Sequence, residues 1–113
     1  MGHYRRREKQ MQDNSVFDII ETPDKKYVGV VDYVSTKYIS FFDISGIEDP
    51  DFRHLVILYK TYYHRMRFSV FNAMYAAQFD FGDPILINKK LIKYHSKPLY
   101  ATAPYRSVRK VSR

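Results

Sequence analysis

Cysteine is absent from this chain of 113 residues, which excludes disulfide staples, thiolate metal centres and cysteine nucleophiles together. Small secreted domains commonly depend on such staples, so the absence points to a reducing interior or an assembled particle. Glycine is scarce, at four residues, and none forms a phosphate-cradling loop or a Gly-x-Ser-x-Gly elbow. Dinucleotide, P-loop and serine-hydrolase readings are rejected on that ground. No apolar run approaches the ~20 residues that cross a bilayer, and the start of the chain lacks the apolar core of a secretory signal. Arg6 breaks the myristoylation pattern that Met1-Gly2 would open. The expected setting is intracellular (cytoplasmic) or within a virion, with no membrane contact and no secretion through a signal peptide. Tryptophan is missing as well, so the 17% aromatic content is Tyr and Phe, 11 and 8 residues. Tyrosine pairs apolar area with a hydroxyl that needs a partner, which suits core rims and contact surfaces.

Acid is missing from one whole region. Residues 89–113 hold Lys89, Lys90, Lys93, Lys97, Arg106, Arg109, Lys110 and Arg113 with no Asp or Glu, a net of +8. Residues 1–10 carry Arg5, Arg6, Arg7 and Lys9 against Glu8, a net of +3, and residues 11–88 sum to −4. This split suggests a folded body that reaches for a polyanion with its ends.

Residues 1–15 are polar and aperiodic and read as a basic N-terminal arm, disordered when alone. Residues 16–94 read as a single α+β domain, and 95–113, with Pro98 and Pro104, as an extended basic C-terminal arm. Strand signals cover Val16–Ile20, Tyr27–Val34 and Lys37–Ser45, rich in β-branched and aromatic residues. Pro23-Asp24 marks a turn, whereas Ser35-Thr36 lacks the Gly or Asn of a tight hairpin, leaving a hairpin or one bent strand. Gly29 inside a strand marks a bulge or a close backbone approach. Asp49 and Pro50 suit a helix start, and Asp51 suits the positive end of its dipole. From there Phe52, Leu55, Val56, Tyr59, Tyr63, Met66, Val70, Ala73 and Ala77 recur at helical spacing. Arg65, Arg67 and Ser69 alternate with Met66, Phe68 and Val70, which allows a break near His64; a continuous or slightly kinked helix over residues 50–78 is expected, given the alanines that follow. Gly82 is a candidate left-handed stop, and Ile85–Ile87 a fourth short strand. The expected fold is therefore a small antiparallel sheet of three to four strands packed against one long helix. Ile39 and Phe41 face one way, and Tyr38, Phe42 and Ile44 the other. The face not met by the helix is expected to need another cover, such as a second subunit.

The candidate binding residues follow from charge. Arg5, Arg6, Arg7 and Lys9, with Arg106, Arg109, Lys110 and Arg113, could neutralise phosphates through counterion release, with Tyr4, Tyr100 and Tyr105 placed to stack on unpaired bases. Arg53, Lys60, His64 and Arg67 would form one stripe on the long helix, flanked by Arg65, and extend that basic surface onto the body. No RNP, KH, zinc-finger or homeodomain pattern accompanies them. His54 and His64 have no metal-ligand spacing, and the Asp49/Asp51 and Asp80/Asp83 pairs read as cap and turn residues. No metal, cofactor or catalytic residue is expected. The reading is a non-enzymatic architectural or assembly protein of a nucleoprotein particle (a virion or RNP component). Its body would dock on protein neighbours as a homo- or hetero-oligomer, and its arms would contact DNA, RNA or acidic protein. The alternatives are a free nucleic-acid-binding or regulatory module, such as a viral factor acting on a host protein, and a small nuclease using His64 as general base.

Overall fold

A computed structural model describes residues 16–96 of the chain. The arm expected at residues 1–15 lies outside the described residues, as does the one expected at 95–113 except for its first two residues; His95 belongs to the last strand and Ser96 N–H donates to Ile19 C=O, so the body runs two residues further than expected. Within the described residues the chain forms β1 (Asp18–Glu21), β2 (Lys26–Val34), β3 (Tyr38–Asp43), α1 (Asp51–Tyr62), α2 (Phe68–Met74), β4 (Ile85–Asn88) and β5 (Tyr94–His95), with a 3-10 turn at Lys89–Leu91. The α+β class holds, with five antiparallel strands in the order β4-β3-β2-β1-β5. The single long helix does not: two short helices replace it.

Side chains build both hairpin turns. At Pro23-Asp24 the Thr22 hydroxyl oxygen accepts the Asp24 and Lys25 N–H groups, and Thr22 N–H donates to Lys25 C=O at 2.9 Å. The β2–β3 connection is a hairpin, and Ser35 Oγ supplies what Gly or Asn would have. It accepts from Lys37 N and Tyr38 N at 3.2 and 3.0 Å, an alternative to the tight primed turn. Asp49 Oδ1 accepts the Asp51 N–H at 2.9 Å, satisfying a free donor at the start of α1.

The register shifts between Val31 and Tyr33, so Asp32 is the extra residue of a bulge. That bulge explains the broken helix. Asp32 is buried, and its carboxylate takes the Ser69 N–H at 2.8 Å, the Ser40 hydroxyl at 2.8 Å and Arg67 Nη2 at 3.1 Å. A helix running through residue 67 would have no free N–H at Ser69 to offer. Tyr59 Oη donates to Met66 C=O at 2.7 Å and holds the connector open between the helices. The alternation of Arg65, Met66, Arg67 and Phe68 records this stretch.

Two apolar clusters lie on opposite faces of the sheet. Val30, Phe42 and Ile44 meet Phe52, Leu55, Val56 and Tyr59 of α1 and Phe68 and Phe71 of α2, with Phe81 beside them. The rings of Tyr59 and Phe42 stand edge-on to Phe68 at 4.8 and 5.0 Å, a favoured arrangement of aromatic quadrupoles. On the other face Ile20, Val34, Ile39, Phe41 and Ile87 are all buried, with Ile92 packed against them. The second face is therefore not left open for another subunit, contrary to the sequence expectation.

The reason is curvature. Lys89 N–H donates to Lys37 C=O and Lys93 N–H to Glu21 C=O. Four residues of chain reach at most about 14 Å, whereas β2, which runs between those corners, is roughly 30 Å long. The sheet must coil for both bonds to form, and it encloses its second face in doing so. Among the described residues no helix is long and apolar enough to cross a membrane.

Candidate polyanion-binding surface

Residues 16–96 carry ten Lys/Arg and ten Asp/Glu, so the net +7 of the chain comes wholly from the flanking segments. Inside the body, cations and acids are sorted. Lys60 Nζ lies 2.6 Å from Asp18 Oδ1, with the carboxylate side chain 4% exposed. Arg67 binds Asp32 as above and also lies over the Tyr33 ring, 4.8 Å from its centre. Asp32 and Tyr33 sit together at the bulge, and Arg67 contacts both. Lys25 and Asp43 pair at 3.0 Å on the surface. That bond raises the Lys25 pKa; burial raises the Asp43 pKa, but Lys25 and the Ser45 N–H outweigh it and leave Asp43 below the usual carboxylate value.

These contacts change the status of the proposed helical stripe. Arg53 and Lys60 are on α1, but Arg67 lies past the break and cannot share their face. Lys60 and Arg67 neutralise buried strand carboxylates, and Arg53 lies over the Phe17 ring, 5.6 Å from its centre. Arg65 and His64 are exposed in the connector. Beside His64, therefore, neither Lys60 nor Arg67 is an uncommitted phosphate clamp. The warning in the sequence was a lone acid inside each apolar strand: Asp18 before Ile19-Ile20, and Asp32 within VVDYV. A carboxylate in such a position needs a cation or a set of donors. Arg5, Arg6, Arg7, Lys9, Arg106, Arg109, Lys110 and Arg113 lie outside the described residues. The Asp80 side chain accepts from Gly82 N and Asn72 Nδ2, which pulls its pKa down, so it acts as the turn residue expected. Among the described residues no three His or acidic side chains cluster as metal ligands do.

A different cationic surface takes the stripe's place. Tyr38 pairs with Asn88 in the β3–β4 ladder, and the Lys89–Lys37 hydrogen bond continues that register by one step. Two lysines thus face each other across adjacent strands, and like charges opposite one another are destabilising. Lys89 Nζ is drawn to Ser35 C=O at 3.1 Å, while Lys37 and Lys90 are exposed. Asn88 Oδ1 accepts from Lys90 N at 2.9 Å and fixes the backbone at that point. Residues 33–42 and 84–96 contain no Asp or Glu, so this corner has no acid of its own strands beside it. Tyr38, 38% exposed, adds a ring at its edge. The chain then passes through Lys93 to the acid-free segment from Lys97 onward. Lys89 and Lys90 were visible in sequence as part of a basic run. Lys37 was not, because only the strand register brings it to them across 52 positions.

No protein-family model matches the chain, nor does any curated protein or solved structure.

Proposed function

We propose that this chain is a non-enzymatic architectural protein of a nucleoprotein assembly, which binds single-stranded nucleic acid through its basic flanking segments. One observation carries the reading. A body of balanced charge ties Lys25, Lys60 and Arg67 to acids of its own, and leaves an acid-free lysine corner leading into the C-terminal basic run. Lysines placed opposite each other gain most from a ligand that brings dense negative charge, and a phosphate backbone does so at every residue. Exposed Tyr38, next to Lys37 in the chain and paired with Asn88, favours an unpaired strand whose bases are free to stack.

The test is fluorescence anisotropy of the full chain with a labelled single-stranded oligonucleotide, with polyglutamate as competitor. Joint replacement of Lys37, Lys89 and Lys90 by glutamine should weaken binding by about tenfold or more and leave the melting temperature nearly unchanged. Unchanged affinity in that variant would remove the corner from the interface. Efficient displacement by polyglutamate would move the assignment from nucleic acid to an acidic protein.

A further inference from the structure

β4 forms one edge of the sheet. In an antiparallel ladder, alternate residues point their N–H and C=O groups towards the neighbouring strand and away from it. The Lys89–Lys37 bond fixes which is which: Lys89, Ile87 and Ile85 bond towards β3, and Leu86 and Asn88 point outward. β4 ends the strand order, so among the described residues no strand takes up those groups. Leu86, at the centre of this edge, is 65% exposed and Ile85 38% exposed.

Around Leu86 the sequence is complementary to its own reverse. Asp83 and Pro84 precede the apolar segment Ile85-Leu86-Ile87, and Asn88, Lys89 and Lys90 follow it. We infer that two copies of the chain associate through an antiparallel β4–β4 pair centred on Leu86, related by a two-fold axis perpendicular to the sheet. In that register the outward N–H and C=O of Leu86 bond reciprocally to those of Leu86 in the second copy. Asn88 N–H meets the carbonyl of Pro84 in the second copy, while the exposed Asn88 carbonyl, opposite a proline that has no N–H to give, keeps its bond to water. Ile85 lies beside Ile87 of the second copy, and Asp83 falls opposite Lys89. The axis keeps each sheet face continuous across the pair, because paired residues share the parity that puts them on one side.

Pro84 at one end and the lysines at the other limit pairing to this short window, and the symmetry closes after two copies. A strand pair of this length is a weak contact alone. It gains strength where many copies lie along one polymer. The inference deepens the assembly reading by naming the neighbour as a second copy, and it rests on that reading only for its biological purpose.

Sedimentation equilibrium of the full chain without nucleic acid is the test, so that failed dimerisation and failed nucleic-acid binding are read separately. The full chain should show a concentration-dependent monomer–dimer equilibrium. Leu86→Pro removes an outward N–H while leaving every β3–β4 bond in place, and should raise the dimer dissociation constant about tenfold or more. Leu86→Glu should do the same by setting two carboxylates opposite each other, and it carries the test if the proline variant does not fold. A chain that stays monomeric at all concentrations, or a dimer indifferent to Leu86→Glu, overturns the proposal.

Discussion

Alanine at Gly29 is expected to abolish the cooperative fold. A Cβ placed on Gly29 would lie 1.8 Å from the Phe42 carbonyl oxygen and 3.1 Å from a carbon of the Phe41 ring. Neither neighbour can retreat. Phe41 and Phe42 are 0% and 1% exposed and pack in the two clusters on opposite faces of the sheet. The obstacle at 1.8 Å is backbone, held in the ladder with β2, so relief requires β2 and β3 to separate. Separation would undo the coil on which the second cluster depends. The cost should exceed about 4 kcal/mol, comparable to the whole stability of about 5–15 kcal/mol usual for a domain. Circular dichroism should show no sharp thermal transition. Gly46→Ala is the control, since a Cβ there meets nothing within 4 Å, and it should melt with the parent chain.

Asp32→Asn should be the second most damaging change, at about 3 kcal/mol near neutral pH. The carboxylate accepts from Ser69 N, Ser40 Oγ and Arg67 Nη2 together. An amide turns one of those acceptor positions into a donor that faces another donor, and it leaves Arg67 without its counter-charge. The effect has a pH signature. Burial pushes the Asp32 pKa up, but the Arg67, Ser69 and Ser40 bonds outweigh it and hold the pKa below the ordinary carboxylate value. A depressed folded-state pKa stabilises the protein above the unfolded value, and that contribution is lost as pH falls through the folded one. The difference between parent and variant should therefore be full near neutral pH and shrink at acid pH. Urea denaturation at the two pH values measures it. An equal difference at both would mean that Asp32 acts by shape rather than charge.

Gly29 and Asp32 also mark where sequence reading succeeds and where it stops. Local signals were legible. The Pro23-Asp24 turn, the Asp49-Pro50 helix start and the strands YVGVVDYV and YISFFD depend on neighbouring residues, and the pattern displays them. Gly29 could be flagged as a close approach, though not what it approaches. The helix break was half visible, as an alternation at residues 65–70, but its cause is Asp32 on a strand 37 positions before Ser69. No local period carries such a cause. The coil of the sheet was invisible, because it follows from two long-range backbone bonds at Lys89 and Lys93. Without it, Ile39 and Phe41 read as an apolar face awaiting a partner. The candidate surface divides in the same way: the basic run after residue 89 was plain, and the corner formed with Lys37 required the register.

The central claim is that a charge-balanced body presents its basic segments to the phosphate backbone of nucleic acid. The most direct measurement is the affinity of the full chain for a single-stranded oligonucleotide over a series of salt concentrations. Each phosphate neutralised contributes about −0.7 to the slope of log K against log salt. The account predicts a steep, linear fall, with a slope reduced by about 2 when Lys37, Lys89 and Lys90 are replaced by glutamine. Binding that is flat in salt, or no binding at low salt, would contradict it.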